Sequence, residues 1–187
     1  MLTAKQLKAL CSILILFLSS SALANPFQKA EKEVGIPEEL LVSVAKVESG
    51  MRPYAFAVWT TAPLPKLSLY CSSERFIKGK FLYNGCFFKS RKKAESFLTF
   101  LLKNPAVENF SVGLMQVNSS WIPVLNINPY DLLDPDYNVL LGALILKFYY
   151  DATNDLARAL SLYYGKKRGI AVKYVKKVVK NLELSER

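Results

Sequence analysis

The stretch Glu38-Glu39-Leu40-Leu41-Val42-Ser43-Val44-Ala45-Lys46-Val47-Glu48-Ser49-Gly50 decides how this chain is read. Leu40, Leu41, Val44 and Val47 recur at i, i+1, i+4 and i+7, a core-facing helical stripe. Pro37 opens that helix where a missing N–H costs nothing, and Gly50 supplies its stop. Glu48 follows Val44 by one turn, so it stands beside the apolar stripe rather than opposite it. A carboxyl group there is partly desolvated, and the partial negative charge of a helix C-terminus acts in the same direction. Both disfavour the charged form and move the group toward the range of a general acid. A solvated glutamate that ends a helix is the plainer reading of the position taken alone.

Upstream, residues 27–34 form a short helix that stops at Gly35. Residues 1–24 run from Lys5 and Lys8 through apolar Ala9 to Leu18 into Ser19-Ser20-Ser21-Ala22-Leu23-Ala24. That pattern is a secretory signal with a small-x-small cleavage site after Ala24. An uncleaved anchor is the alternative, but the apolar run is shorter than the roughly 20 residues a spanning helix requires. Cys11 follows the bulky Leu10, which disfavours lipoprotein processing. The expected product is an exported, periplasmic protein with no stable membrane span. Residues 25–187 fit one domain, without repeat, low-complexity tract or linker. The 25 Lys and Arg against 15 Asp and Glu favour an anionic partner: cell-wall polymer, membrane surface or nucleic acid. An export signal argues against nucleic acid.

After that cleavage two cysteines remain, Cys71 and Cys86. In an oxidising compartment they read most simply as one disulfide closing a short loop, worth about 3 kcal/mol by chain entropy. A redox or metal pair is the competing reading. The chain contains no histidine, which removes Ser-His-Asp and Cys-His catalysis and disfavours zinc; no metal and no cofactor is expected.

Residues 51–110 differ in composition from the rest. Tyr54–Thr60 and Lys80–Phe88 have strand-like character, separated by Pro63, Pro65 and the cysteine loop, which predicts a small hairpin stapled by Cys71 and Cys86. Most of its aromatics would fill a minor core, and exposed ones could stack on sugar rings. Ser90 would cap a helix through about Lys103, with Ala94, Phe97, Leu98, Leu101 and Leu102 apolar. Further on, Asp134-Pro135 reads as an N-cap and first-turn pair. Val139, Leu140, Ala143, Leu144 and Ile145 then give a nearly all-apolar helix to about residue 150. Asn138 and Gly142 lie one turn apart, so both can face the Glu48 helix. A helix at about 154–164 follows. Beyond Gly169, Ile170, Val172, Val175, Val178 and Val179 alternate with Lys173, Lys176, Lys177 and Lys180, a basic face that meets either solvent or an anionic partner. The fold class is mainly α, an α-rich bundle around a buried helix.

Four motifs occur in order: Glu48-Ser49-Gly50; Gly113-Leu114-Met115-Gln116-Val117-Asn118; Asn138 with Gly142; and Ala159-Leu160-Ser161-Leu162-Tyr163-Tyr164-Gly165. Together they resemble the soluble lytic transglycosylases, which have a lysozyme-like fold. The resemblance spans roughly residues 27–165, with 51–110 as an inserted hairpin and helix. The compact size is similar to members attached to secretion and conjugation machines.

The resemblance implies a lysozyme-like helical bundle acting on peptidoglycan glycan strands. It implies cleavage of the β-1,4 bond between N-acetylmuramic acid and N-acetylglucosamine without water, leaving a 1,6-anhydro end. Glu48 would be the catalytic acid and then base. Ser49 would fix the local backbone, and Gln116 would hold an N-acetyl group or sugar hydroxyl. Met115 would line the cleft, Asn118 would face a sugar subsite, and the Tyr163 hydroxyl would steady the carboxyl. Retaining and inverting glycosidases need a second carboxylate, and none stands out; Glu74 and Asp131 read as surface or capping residues. The chain departs from the family at Ala57, where many members carry Ser or Asn, and at Tyr163-Tyr164-Gly165, where Tyr-Asn-x-Gly is common. A lysozyme-type hydrolase on the same scaffold and a non-catalytic peptidoglycan-binding or assembly protein are the alternatives.

Overall fold

A computed structural model of the chain describes residues 25–77, 79–165 and 168–184. The expected export signal, residues 1–24, lies outside them. The chain divides into two compact units, one running to Glu48 and resuming at Val139, the other covering Ser49–Asn138.

The first unit is helical. Asn25 starts α1 (Pro26–Val34) by accepting from the N–H groups of Phe27 and Gln28 at 2.9 and 3.0 Å. Gly35, at φ 75°, ends it in the left-handed conformation that glycine adopts without strain. The Asn25 amide also donates to Glu38 Oε1 at 2.8 Å, tying the start of α1 to the start of α2 (Glu38–Glu48). In α2 the buried face is broader than the expected stripe. Leu40, Leu41, Ser43, Val44 and Ala45 are all buried, while Val47 is half-buried.

The long helix here labelled α6 (Pro135–Thr153) enters this unit at Val139, and every residue from Val139 to Leu146 is buried. A helix apolar on all sides belongs inside a core. Asp155 accepts from Arg158 N at 3.1 Å and starts α7 (Leu156–Tyr164). The last helix, α8 (Arg168–Glu183), packs against α2 and α7. Lys173, Lys176, Lys177 and Lys180 are exposed, as the sequence pattern requires. Its buried face, however, is Ala171, Tyr174 and Val178, whereas Val172 and Val179, expected in the apolar stripe, are exposed. No described helix is long and apolar enough to cross a membrane.

The second unit is built on a five-stranded antiparallel sheet of order β2-β3-β1-β4-β5. Its strands are β1 (Ala55–Thr60), β2 (Cys71–Ile77), β3 (Lys80–Phe87), β4 (Val107–Val112) and β5 (Val117–Asn118). The two expected strands, β1 and β3, pair with each other, but the hairpin is made by β3 with β2, which runs where a cysteine loop was expected; Cys71 and Cys86 stand opposite each other in its register, joined by a disulfide. The hairpin is thus one edge of a larger sheet. Phe56 and Tyr83 are fully buried, and the Tyr83 hydroxyl accepts from Leu64 N at 2.9 Å. Phe56 packs edge-on against Phe88 and Phe97 at 5.7 and 5.0 Å, so the aromatic run chiefly fills this core.

Short α3 (Pro65–Ser68) and α5 (Trp121–Leu125) flank the sheet, and α4 (Arg91–Lys103) buries Ala94, Phe97, Leu98 and Leu101. Leu102 is exposed, and Ser90 occupies the cap position of α4 without a capping side-chain bond. A 3₁₀ turn (Pro129–Leu133) leads to Asp134, whose Oδ1 accepts from Tyr137 N at 3.0 Å and starts α6.

Candidate active site

Glu48 is the last residue of α2. Leu41, Val44 and Ala45 precede it by seven, four and three residues, so it continues the most buried line of that helix. Its side chain remains partly accessible, yet the protein around its carboxyl pushes the pKa from an ordinary value near 4.5 up to about 7. Desolvation is the dominant cause, and the Tyr174 hydroxyl opposes it by favouring the carboxylate.

Two other helices bring tyrosines to this carboxyl. Tyr163 on α7 is held well above the usual phenol range by burial, then by the charges of Glu48 and Tyr149. Tyr174 on α8 is raised by burial, then by Glu48 and Tyr163. The Tyr174 ring stacks on Tyr164 at 4.5 Å between centroids. Its buried hydroxyl faces the Glu48 carboxyl without closing a well-formed hydrogen bond, and has no other partner among the described residues. The result is an acid that keeps its proton up to about neutrality, set among tyrosine hydroxyls, with no cation among the causes of its shift.

The second unit holds the other motif residues. Gly113 adopts φ 84°, donates its N–H to Ala55 O at 2.9 Å and opens a turn that places Gln116 at φ 47°. The Gln116 Nε2 donates to Ala55 O and to Gly113 O, both at 3.0 Å. Because both partners are carbonyls, the amide orientation is settled and both of its protons are used. Oε1 remains as the acceptor that a ligand can meet. Gln116 is therefore narrower than its chemistry suggests: it reads donors.

Asn138 locks this turn from behind. It is buried, with Nδ2 donating to Val112 O and Leu132 O at 2.9 and 3.0 Å, and Oδ1 accepting from Met115 N at 2.9 Å. A Cβ at Gly113 would lie 2.2 Å from Asn138 Nδ2, so the glycine is needed for close approach as well as for its positive φ. Met115, expected to line the cleft, is fully buried.

Ser49 is also buried, and its Oγ accepts from Arg52 N at 3.3 Å across the turn that contains Gly50 and Met51, both in left-handed conformation. Asn118 is half-buried; its Oδ1 accepts from Ser120 N at 3.0 Å and its Nδ2 approaches Ser111 Oγ at 3.4 Å. Ala57, Ser111 and Asn118 are register partners across β1, β4 and β5. Directly opposed residues share a sheet face, so a hydroxyl and an amide stand next to the alanine that replaces the polar residue of many family members.

Residues 25–180 match the Transglycosylase SLT domain. The chain belongs to this family. The transglycosylase SLT domain is a lysozyme-like fold of enzymes acting on peptidoglycan, and the mainly helical architecture with a small antiparallel sheet agrees with it. Comparison with curated proteins and with solved structures finds no match. Within this transglycosylase domain the structure brings Glu48 together with Tyr163 in the first unit, and Met115, Gln116 and Asn118 together in the second. Sequence reasoning passed over Tyr174 and Ser111. The spacing of Ala171, Tyr174 and Val178 carried the signal for the first; the Ser111 signal lay in a strand pairing that local pattern does not reveal. Among the described residues, no group of three or more Cys, Asp or Glu could hold a metal ion.

Proposed function

We propose that this protein is a lytic transglycosylase that cleaves the β-1,4 bond between N-acetylmuramic acid and N-acetylglucosamine and leaves 1,6-anhydromuramoyl ends. The observation that carries the reading is Glu48, an acid raised to about 7 by its surroundings with no other carboxylate among the causes of its shift. A group that must give a proton and take one back works best with a pKa near the working pH. Glu48 protonates the glycosidic oxygen as the bond to C1 of the muramoyl residue breaks. Its carboxylate then removes the proton of that residue's 6-hydroxyl while O6 bonds to C1. The substrate supplies its own nucleophile, so the second carboxylate of a hydrolase is not required. Gln116 Oε1 would receive an acetamido N–H or a hydroxyl of the glycan.

The pH dependence follows in sign. Glu48 must start protonated, so clearing of purified sacculi, followed by turbidity, is expected to decline as pH rises through about 7. Folding is linked to the same group. The native state holds the Glu48 proton between pH 4.5 and about 7 while the unfolded chain has released it. Stability should therefore fall with rising pH across that window, by on the order of 3 kcal/mol in all, and level off above it. A flat activity profile between pH 5 and 9 would remove Glu48 as the acid.

Ser111 stands where it can replace the polar group missing at Ala57. Ser111→Ala should lower the rate of anhydro-end formation roughly fivefold, the worth of one neutral hydrogen bond, without changing the melting temperature by more than about 2 °C. An unchanged rate would mean that the position works without a hydroxyl.

The setting we infer is the periplasm, supported by the leader-like residues 1–24 and by the Cys71–Cys86 disulfide, which suits an oxidising compartment. Local opening of the wall for a secretion or conjugation apparatus is the role that the compact size favours. The exposed lysines of α8 suit an anionic wall polymer or an assembly partner.

A further inference from the structure

The turn after Glu48 holds its last residue, Arg52, more firmly than a connection requires. Gly50 and Met51 are consecutive left-handed residues, at φ 61° and 62°, and for a methionine that conformation is strained. The buried Ser49 accepts from Arg52 N at 3.3 Å, and Pro53 restricts the backbone of Arg52 from the other side. The side chain is placed as well. Its guanidinium carbon lies 3.9 Å from the centroid of the Phe87 ring, a cation–π seat. Phe87 ends β3, opposite Ala55 of β1 and next to Cys86 of the disulfide, so the ring stands on a stapled strand end. Arg52 is exposed, and among the described residues its side chain forms no ion pair and no hydrogen bond. The fold thus orients a guanidinium and leaves its five N–H donors unused.

We propose that Arg52 is a specificity-determining residue: it binds a carboxylate of the stem peptide carried by the muramoyl residue of the glycan. The inference rests on the transglycosylase reading above and extends it from the sugar backbone to the peptide. N-acetyl sugars are uncharged, so an oriented cation has no counter-charge to meet on them. The free carboxylates of this polymer lie in the peptides, which hang from the muramoyl lactyl group. Arg52 follows Glu48 by four residues, which limits the separation of their Cα atoms to about 14 Å. A muramoyl residue whose bond at C1 breaks beside Glu48 therefore brings its own peptide, at roughly 3.5 Å per residue, into the range of this side chain. A guanidinium takes a carboxylate through two parallel N–H···O bonds, a geometry that the point charge of a lysine does not supply. Holding the arginine in advance, by the turn and by the ring, reduces the ordering that binding would otherwise require.

Calorimetry with the Glu48→Gln protein measures binding without turnover. The ligand is a peptidoglycan tetrasaccharide with its stem peptides, compared with the same material after its free carboxyls have been converted to carboxamides. Only charge differs between the two. The Glu48→Gln protein should bind the acidic form about tenfold more tightly, the worth of a hydrogen-bonded ion pair. Adding Arg52→Gln should bring the two affinities within about twofold by weakening the acidic form alone. Arg52→Lys keeps the charge without the fork and should retain part of the preference. Phe87→Leu removes the seat and should also reduce it, and added salt should narrow it. Melting curves check that each variant keeps the fold. Equal affinity for the acidic and amidated ligands before Arg52 is changed, or an Arg52→Gln loss of the same size for both, overturns the proposal. Wild-type protein that leaves anhydro ends, beside a Glu48→Gln protein without the preference, would keep the activity and refute the Arg52 contact. An Arg52-dependent preference in a protein that cuts no glycan would refute the activity and keep the contact.

Discussion

Glu48→Gln is expected to lower glycan cleavage by at least about a thousandfold while the fold is kept. The amide is nearly isosteric with the acid but can neither donate a proton to the glycosidic oxygen nor take one from the 6-hydroxyl. Both halves of the reaction fail together. The environment that raises Glu48 to about 7 does so mainly by desolvation, and a neutral amide does not oppose desolvation as a carboxylate does. The variant should therefore be no less stable than the wild type at pH 8, and its stability should lose the decline between pH 4.5 and 7. Thermal melts across pH read the second effect, and release of soluble fragments from sacculi reads the first. Residual activity within tenfold of wild type would place the acid elsewhere.

Asn138→Asp should destabilise the protein by about 3–5 kcal/mol at neutral pH. The side chain is nearly the same size, so the cost is electrical. Nδ2 donates to Val112 O and Leu132 O, and in the variant a carboxylate oxygen would face both carbonyls with nothing to donate. The other oxygen keeps its bond from Met115 N, which cannot offset a buried charge against two acceptors. Denaturant unfolding should show a lower midpoint at pH 7 and partial recovery at pH 4, where the new carboxyl is protonated and can donate once. Because Asn138 holds the turn carrying Gln116, activity should fall with stability. A loss under 1 kcal/mol at pH 7 would mean that the turn is secured by other bonds.

Helical period and chain punctuation made much of the first unit readable. Gly35 and Pro37 mark the ends of helices, and the run Val139–Leu146 is apolar on every side. Glu48 was legible because it sits at the end of an amphipathic helix; the depth of its burial was not, because it depends on tyrosines from helices distant in sequence. Tyr174 was obscured by its neighbours. Val172 and Val179 suggested an apolar stripe on the wrong side of α8, and the smaller Ala171 with the polar-tipped Tyr174 occupies the buried side instead.

The extent of the sheet was hidden for a similar reason. Strand β2 is mostly exposed and polar, and β5 is two residues long, so neither shows the alternation that betrays a half-buried strand. The Ala57, Ser111 and Asn118 row exists only through non-local pairing. Asn138 is the clearest case. Its value lies in three bonds to residues 6 to 26 positions away, and Gly113, which makes room for it, was visible only as a turn residue.

The most direct measurement is mass analysis of the soluble fragments released when purified residues 25–187 are incubated with peptidoglycan, beside the Glu48→Gln protein. The account predicts 1,6-anhydromuramoyl ends that disappear in the variant. Reducing ends would make the protein a hydrolase, and no fragments from the wild type would contradict the enzymatic reading altogether.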